Sequence, residues 1–299
     1  MAIALIGFAA AWGKLFSAEA VNGLSRYVYY IAVPALLFHS LAALELPARI
    51  NRAFLLAYYL TAFAIYAAGM AIGRWGFGHS LREQSVFGLG GAYSNTVIVG
   101  LPVVLGALGE EALLPMLLIV ALHSGLFSLV VAALAEADAG RGARRRAILA
   151  AITRRVLTNP ITLGLAAGLL VNWLGVELPG PAARVAEVLG QSVLPCALFV
   201  LGATLRQYRL ARYTSEAWTM VALKLVAHPL LAALVVVYGF HLSGVWAAVA
   251  IVTAGLPIGV NVSVFANRYE ACVPAVAAAT LLSTVLAVVS LSGILLLVA

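Results

Sequence analysis

Long apolar runs recur along the whole of this 299-residue chain, and they constrain its fold more than any single motif does. Reading between charged or turn-forming breaks gives ten: 2–15, 25–44, 53–72, 85–108, 112–135, 156–174, 185–205, 217–238, 243–266 and 273–298. A helix crosses a bilayer with about 20 apolar residues. Composition agrees, since 64% of residues are AVILMFWYC and 10% are charged, against roughly 25% charged in soluble proteins. The chain therefore reads as an all-α membrane protein of ten spans. Its short connections leave no room for a soluble domain of about 100 residues, which excludes nucleotide-binding and extramembrane catalytic domains. The first run is too short to cross at 1.5 Å per residue. It lacks the basic stretch and small-residue cleavage pattern of a signal peptide, and reads as a truncated first helix.

The net charge of +7 is a topology signal and does not point to nucleic acid. Lys14, Arg26, Arg74, Arg82, Arg141, Arg144, Arg145, Arg146, Arg154, Arg155, Arg206, Arg209, Arg212 and Arg268 fall in alternate loops, whereas Arg49, Arg52 and Arg184 fall in the others. Basic residues favour the cytoplasmic side. The expectation is a multi-pass protein of the cell (inner) membrane with both termini outside the cytoplasm and loop 136–155 inside it. Cys196 and Cys272 sit in apolar settings and imply packing, not a disulfide framework.

Three motifs recur in the same order on the two sides of that loop. Pro34-Ala-Leu-Leu-Phe38 corresponds to Pro195-Cys-Ala-Leu-Phe199, Gly100-Leu-Pro102 to Gly255-Leu-Pro257, and Glu111-Ala-x-x-Pro115 to Glu270-Ala-x-x-Pro274, at offsets of 161, 155 and 159 residues. The expected organisation is a first five-helix repeat over 1–135, a basic loop over 136–155 and a second repeat over 156–299. Because five is odd, the copies insert with opposite orientation. That is the architecture of many secondary transporters, whose sites lie at the midplane.

The fourth and ninth spans carry the candidate site. Each combines glycine and proline with an asparagine: Gly91, Asn95, Thr96, Gly100 and Pro102 in one, and Gly255, Pro257, Gly259, Asn261 and Ser263 in the other. Proline removes a donor, and glycine lowers the cost of leaving helical geometry. Two equivalent breaks predict half-helices that cross at the midplane and offer amide groups to an anion; the competing expectation is kinks that serve packing alone. Buried asparagine amides strengthen the first reading.

Lys224 and His228 lie four apart on one face of the eighth span. They read as a fixed charge that attracts an anion or replaces a coupling cation; alternatively, Lys224 snorkels to the interface. His39 and His123 read as core histidines, and Gly69/Gly73 and Gly164/Gly168 as helix-packing contacts. All eleven acidic residues fall in loops or near span ends. A diphosphate-binding prenyl transferase with aspartate-held Mg²⁺ is thereby disfavoured, as is a carrier of organic cations. Walker, His-Glu-x-x-His, Cys-x-x-Cys and Gly-x-Ser-x-Gly patterns are missing, so no enzymatic activity, metal site or cofactor is expected.

Pro34 to Phe38, Asn95-Thr-Val-Ile-Val-Gly-Leu-Pro102, Asn159-Pro160, Leu194-Pro-Cys-Ala-Leu-Phe-Val-Leu-Gly202, and Leu256-Pro257 through Asn261 to Tyr269 together resemble the auxin efflux carrier family of permeases. The resemblance implies two inverted five-helix repeats. Spans 1, 2, 6 and 7 would form a scaffold that makes a homodimer, and spans 3–5 and 8–10 an elevator-like mobile unit. Asn95, Pro102, Pro257 and Asn261 occupy its crossover positions. The short 136–155 loop departs from plant auxin carriers and favours a small carboxylate over auxin. The expected function is secondary transport of a small organic anion across the lipid bilayer, with Na⁺ or H⁺ as conceivable coupling ions. The alternatives are a sodium symporter of the bile-acid type, an anion channel or a membrane enzyme.

Overall fold

The computed structural model describes residues 2–43, 51–138, 158–204 and 215–298. Among these the chain is helical, and its one extended feature is an isolated antiparallel bridge between Ser94 and Ile258. In chain order the helices are α1 (Ala2–Trp12), α2 (Ala18–Tyr27), α3 (Val33–Ala43), α4 (Arg52–Phe77), α5 (Leu81–Ala92), α6 (Leu101–Leu108), α7 (Leu113–Asp138) and α8 (Pro160–Leu174). They continue with α9 (Gly180–Gln191), α10 (Val193–Thr204), α11 (Ser215–Ala222), α12 (His228–Ala233), α13 (Gly244–Ala254), α14 (Asn261–Tyr269) and α15 (Val273–Val298).

Among the described residues five stretches are long and apolar enough to cross a bilayer: Arg52–Phe77, Glu110–Ala135, Gly180–Thr204, Ser215–Gly239 and Val273–Val298. Shorter apolar helices lie at Ile3–Trp12, Thr96–Leu108, Pro160–Leu174 and Gly244–Ala254. The basic loop expected over 136–155 lies outside the described residues beyond Asp138, as do Arg49, Arg206, Arg209 and Arg212. Cys196 and Cys272 are both free thiols.

Three prolines are absorbed in the same way. A proline ring clashes with the carbonyl four residues earlier, and each of these stands two residues past the end of a π-helical turn: Val28–Ala32 before Pro34, Thr96–Gly100 before Pro102 and Leu223–Ala227 before Pro229. In each turn the amide preceding proline bonds five residues back, Val33 to Val28, Leu101 to Thr96 and His228 to Leu223. The widened turn moves the obstructing carbonyl aside, so the helix continues through its proline.

The chain divides into two compact units. One comprises Met1–Ile50 with Ala150–Gln207, the other Asn51–Leu149 with Tyr208–Ala299. Lipid tails are as apolar as side chains, so helices in a bilayer associate through close packing and small residues. In the first unit α1 meets α10 through two glycines, since a Cβ on Gly7 would lie 2.1 Å from the Phe199 carbonyl oxygen and one on Gly202 1.7 Å from that of Ala4. Helix α3 meets α8 in the same manner, with a Cβ on Gly164 or Gly168 falling 2.7 Å from the carbonyl oxygen of Pro34 or Phe38. Asn159 caps α8 by accepting the Ile161 amide at 2.9 Å, with Pro160 in the first turn where its missing donor is harmless.

In the second unit α4 and α5 form a hairpin that turns at Gly78, whose φ of 69° suits glycine. A Cβ on Gly69 of α4 would lie 2.7 Å from the Gly88 Cα of α5. Ser80 and Glu83 close a capping box at the start of α5. The Ser80 backbone N–H, held at 2.9 Å, is the main reason the Glu83 carboxyl titrates below its ordinary range. Nearby, His79 lies 3.7 Å from the Glu216 carboxylate and 3.7 Å from the Cys272 sulfur, which ties the α4–α5 turn to the ends of α11 and α15. Burial, assisted by the carboxylates of Glu216 and Glu83, pushes the Cys272 thiol up to about 12.

Gly202→Ala should lower the thermal midpoint of the purified protein sharply, because the added carbon meets backbone that cannot rotate away. Gly23→Ala, where a Cβ meets nothing within 4 Å, should leave it unchanged or raise it slightly. Because so little Cys272 is thiolate at neutral pH, maleimide should label it about a thousandfold more slowly than an ordinary exposed cysteine, with the rate still climbing above pH 9.

Candidate functional site

Helix α5 ends where the Tyr93 amide bonds the Leu89 carbonyl at 2.8 Å, and Tyr93 then turns extended at φ −80°, ψ 113°. Ser94 and Asn95 are non-helical, and the chain resumes as the π turn Thr96–Gly100 and α6. Helix α13 ends at Ala254, leaving Gly255 to Val260 open before α14. Peptide groups exposed in hydrocarbon cost several kcal/mol each unless they are satisfied.

The two openings satisfy each other. The Asn95 amide donates to the Pro257 carbonyl at 2.9 Å, and the Gly259 amide donates to the Tyr93 carbonyl at 3.0 Å. This is one rung of antiparallel sheet, with Ser94 opposite Ile258 as a non-hydrogen-bonded pair. The remaining groups find side chains. The Ser94 amide donates to His123 Nε2 at 3.1 Å, and the Ser94 hydroxyl to the Thr253 carbonyl at 2.7 Å. The Ile258 amide donates to Ser283 Oγ at 3.1 Å, whose own proton goes to the Thr280 carbonyl at 3.0 Å.

The glycines of the crossing allow contact; they do not supply unusual backbone angles. None of Gly91, Gly100, Gly255 and Gly259 is among the positive-φ residues. A Cβ would instead strike Leu223 at 3.1 Å from Gly91, Leu256 at 2.6 Å from Gly100, Ile294 at 2.4 Å from Gly255, and the Tyr93 ring at 2.5 Å from Gly259. Each of these four glycines also permits a close approach that a side chain would block. Proline also acts differently at the two breaks. Pro257 lies within its opening, whereas Pro102 sits in the first turn of α6, downstream of the opening at Tyr93 to Asn95.

The predicted residues do converge in part. Asn261, the first residue of α14, donates from Nδ2 to the Tyr93 hydroxyl at 2.9 Å. Asn95 is half-buried, and its carbonyl accepts the Gly100 amide at 2.9 Å while its side chain makes no capping bond. Thr96 is buried beside it, its amide bonding the Ser94 carbonyl at 2.9 Å. Ser263 bonds within its own turn, to the Val260 carbonyl at 3.1 Å, and does not join the bridge.

Lys224 does not snorkel. Its side chain is fully buried, and its ammonium donates to the Ala254 carbonyl at the end of α13 and lies 3.3 Å from His228 Nδ1. No ion pair among the described residues includes it.

Ser94, His123, Thr253 and Ser283 are site residues that sequence reasoning misses. His123, expected as a core histidine, caps the break, with its ring 4.5 Å from that of Tyr93. A signal exists for the first of them, because Tyr93-Ser94-Asn95-Thr96 is a run of polar residues inside an apolar span. A lone histidine or serine elsewhere carries none.

Two interrupted helices paired inside an apolar, all-helical chain mark an all-α membrane protein. The model of the family described as "Membrane transport protein" matches residues 1–295. A relative from Rhizobium meliloti (strain 1021) named "Putative malonate transporter" is 31% identical over 280 residues, 94% of this chain and 88% of that protein. The chain belongs to this family, that of the auxin efflux carriers; it is a transporter and not an enzyme.

Ser283→Ala should strand the Ile258 amide and cost about 1–3 kcal/mol, read as a lower thermal midpoint, whereas Ser290→Ala on the same helix removes a hydroxyl that already lacks a partner and should cost less.

Proposed function

We propose that this protein is a secondary transporter of a small organic anion, a carboxylate of the malonate type, working by alternating access without a cofactor. The observation that carries the reading is the pairing of Tyr93–Asn95 with Pro257–Gly259, which places Asn95 and Asn261 beside one crossing of interrupted helices. Half-helix starts carry partial positive charge and unpaired amides, and an asparagine at each adds directed donors for a carboxylate. The relative named "Putative malonate transporter", similar along nearly the whole chain, supports the substrate class.

In this reading the ten spans form two inverted repeats, and the unit holding the crossing moves against the other. The repeated motifs and the separation of Met1–Ile50 with Ala150–Gln207 from the rest of the chain favour that division of labour. The first unit would carry the homodimer contact, to which it brings a shallow apolar groove of about 630 Å³ lined by Pro34, Phe38, Val185 and Leu189 among others. The arginine distribution favours the inner membrane with both chain ends outside the cytoplasm.

Uptake of radiolabelled malonate into proteoliposomes should be saturable and should show counterflow, which separates a carrier from a channel. Asn95→Ala and Asn261→Ala should each lower uptake about tenfold or more, with equal yield of monodisperse protein. Undiminished uptake in both variants at equal reconstitution would remove the crossing as the site.

A further inference from the structure

Interrupted helices present two kinds of end, and in transporters of this architecture the carbonyl ends coordinate the coupling cation. Here three of the four carbonyls in the last turn of α13 are already engaged. The Ile251 carbonyl accepts the Gly255 amide at 3.1 Å, and the Thr253 carbonyl accepts the Ser94 hydroxyl at 2.7 Å. The outermost, Ala254, accepts the ammonium of Lys224. That lysine reaches the break from the π turn Leu223–Ala227 of a neighbouring span, and the turn keeps the helix intact just ahead of Pro229. It is fully buried and no carboxylate pairs with it among the described residues. Its other neighbour, His228 Nδ1, accepts its proton when the ring is neutral, so His228 Nε2 carries the hydrogen and remains a buried donor without a partner. His123 is in the same position, with Nε2 taken by the Ser94 amide and Nδ1 unpartnered. The surroundings of the ammonium are thus short of acceptors and of negative charge, which an incoming anion would supply.

We propose that the Lys224 ammonium is a tethered cation, held at the carbonyl end of α13 where a coupling Na⁺ would otherwise bind, and that transport therefore runs without an alkali-metal ion. The inference rests on the anion-transport reading above and deepens it. The lysine supplies the positive charge that a co-bound ion would have contributed, and it travels with the site instead of being loaded at each cycle.

Malonate uptake by wild-type proteoliposomes is measured in NaCl, KCl and choline chloride at equal ionic strength. Rates equal within about twofold are expected, and a fall of tenfold or more without Na⁺ overturns the proposal. Absence of uptake in all three media would instead count against the transport reading. A second measurement then still decides: the thermal midpoint of the detergent-purified wild type should be the same in NaCl and choline chloride, and Na⁺-specific stabilisation would show a vacant metal site and overturn the proposal. Lys224→Met, which keeps the length of the side chain and loses its charge, should abolish the malonate-induced rise in thermal midpoint. Retention of that rise in a folded Lys224→Met protein also overturns the proposal.

Discussion

A peptide group without a partner in hydrocarbon costs several kcal/mol, and every feature of the crossing follows from that penalty. One interrupted helix in a bilayer would expose amides and carbonyls that nothing nearby is shaped to meet. Two interruptions can meet each other, as Tyr93 to Asn95 and Pro257 to Gly259 do across one antiparallel rung. Edge groups that the rung cannot reach are met by His123, Ser283, Ser94 and Lys224. The opening is therefore a joint property of the two helices and the side chains around them.

The same penalty accounts for what glycine and proline do here. Proline is usually read as a breaker, but Pro34, Pro102 and Pro229 each follow a π turn that shifts the hydrogen-bond register from four residues to five and lets the helix run on. Glycine is usually read as a conformational release, but none of the crossing glycines has a positive φ, and each presents a bare surface against which Leu223, Leu256, Ile294 or Tyr93 packs. Close approach is what brings the two openings within hydrogen-bond distance. An added methyl at Gly259 would meet the Tyr93 ring and push apart the pair that satisfies the backbone.

These two roles mark the limit of what is legible in the sequence. Helical class and membrane setting follow from run length and composition, which are one-dimensional quantities. That the fourth and ninth spans hold the candidate site is also legible, because an asparagine amide inside an apolar run is costly until a ligand or freed backbone meets it. The position of the fourth break is not: the Gly-Leu-Pro motif points to Pro102, whereas the chain opens at Tyr93 to Asn95, where no proline or glycine stands. Distances across the bundle decide that, through the Pro257 carbonyl and His123, and neither is adjacent in sequence. Lys224 is ambiguous for the same reason, since a lysine near a span end snorkels or turns inward according to what its neighbours offer. Here a helix end offers it the Ala254 carbonyl.

Charge then divides the crossing into unlike halves. Carbonyls at the close of α13 carry the negative end of a helix dipole, and those of Ile251, Thr253 and Ala254 meet the Gly255 amide, the Ser94 hydroxyl and the Lys224 ammonium. The resuming segments at Thr96 and Asn261 carry the positive end, and an asparagine stands at each, Asn95 half-buried and Asn261 directed to the Tyr93 hydroxyl. Among the buried side chains around the crossing, His123 Nδ1 and His228 Nε2 remain as donors in want of an acceptor. Two unmatched histidine donors and a buried ammonium, with no acidic side chain among the described partners, suit an anion better than a cation. On the proposed reading, anion selectivity is thus set by how the backbone ends are matched, and the shape of the carboxylate is a later and finer choice.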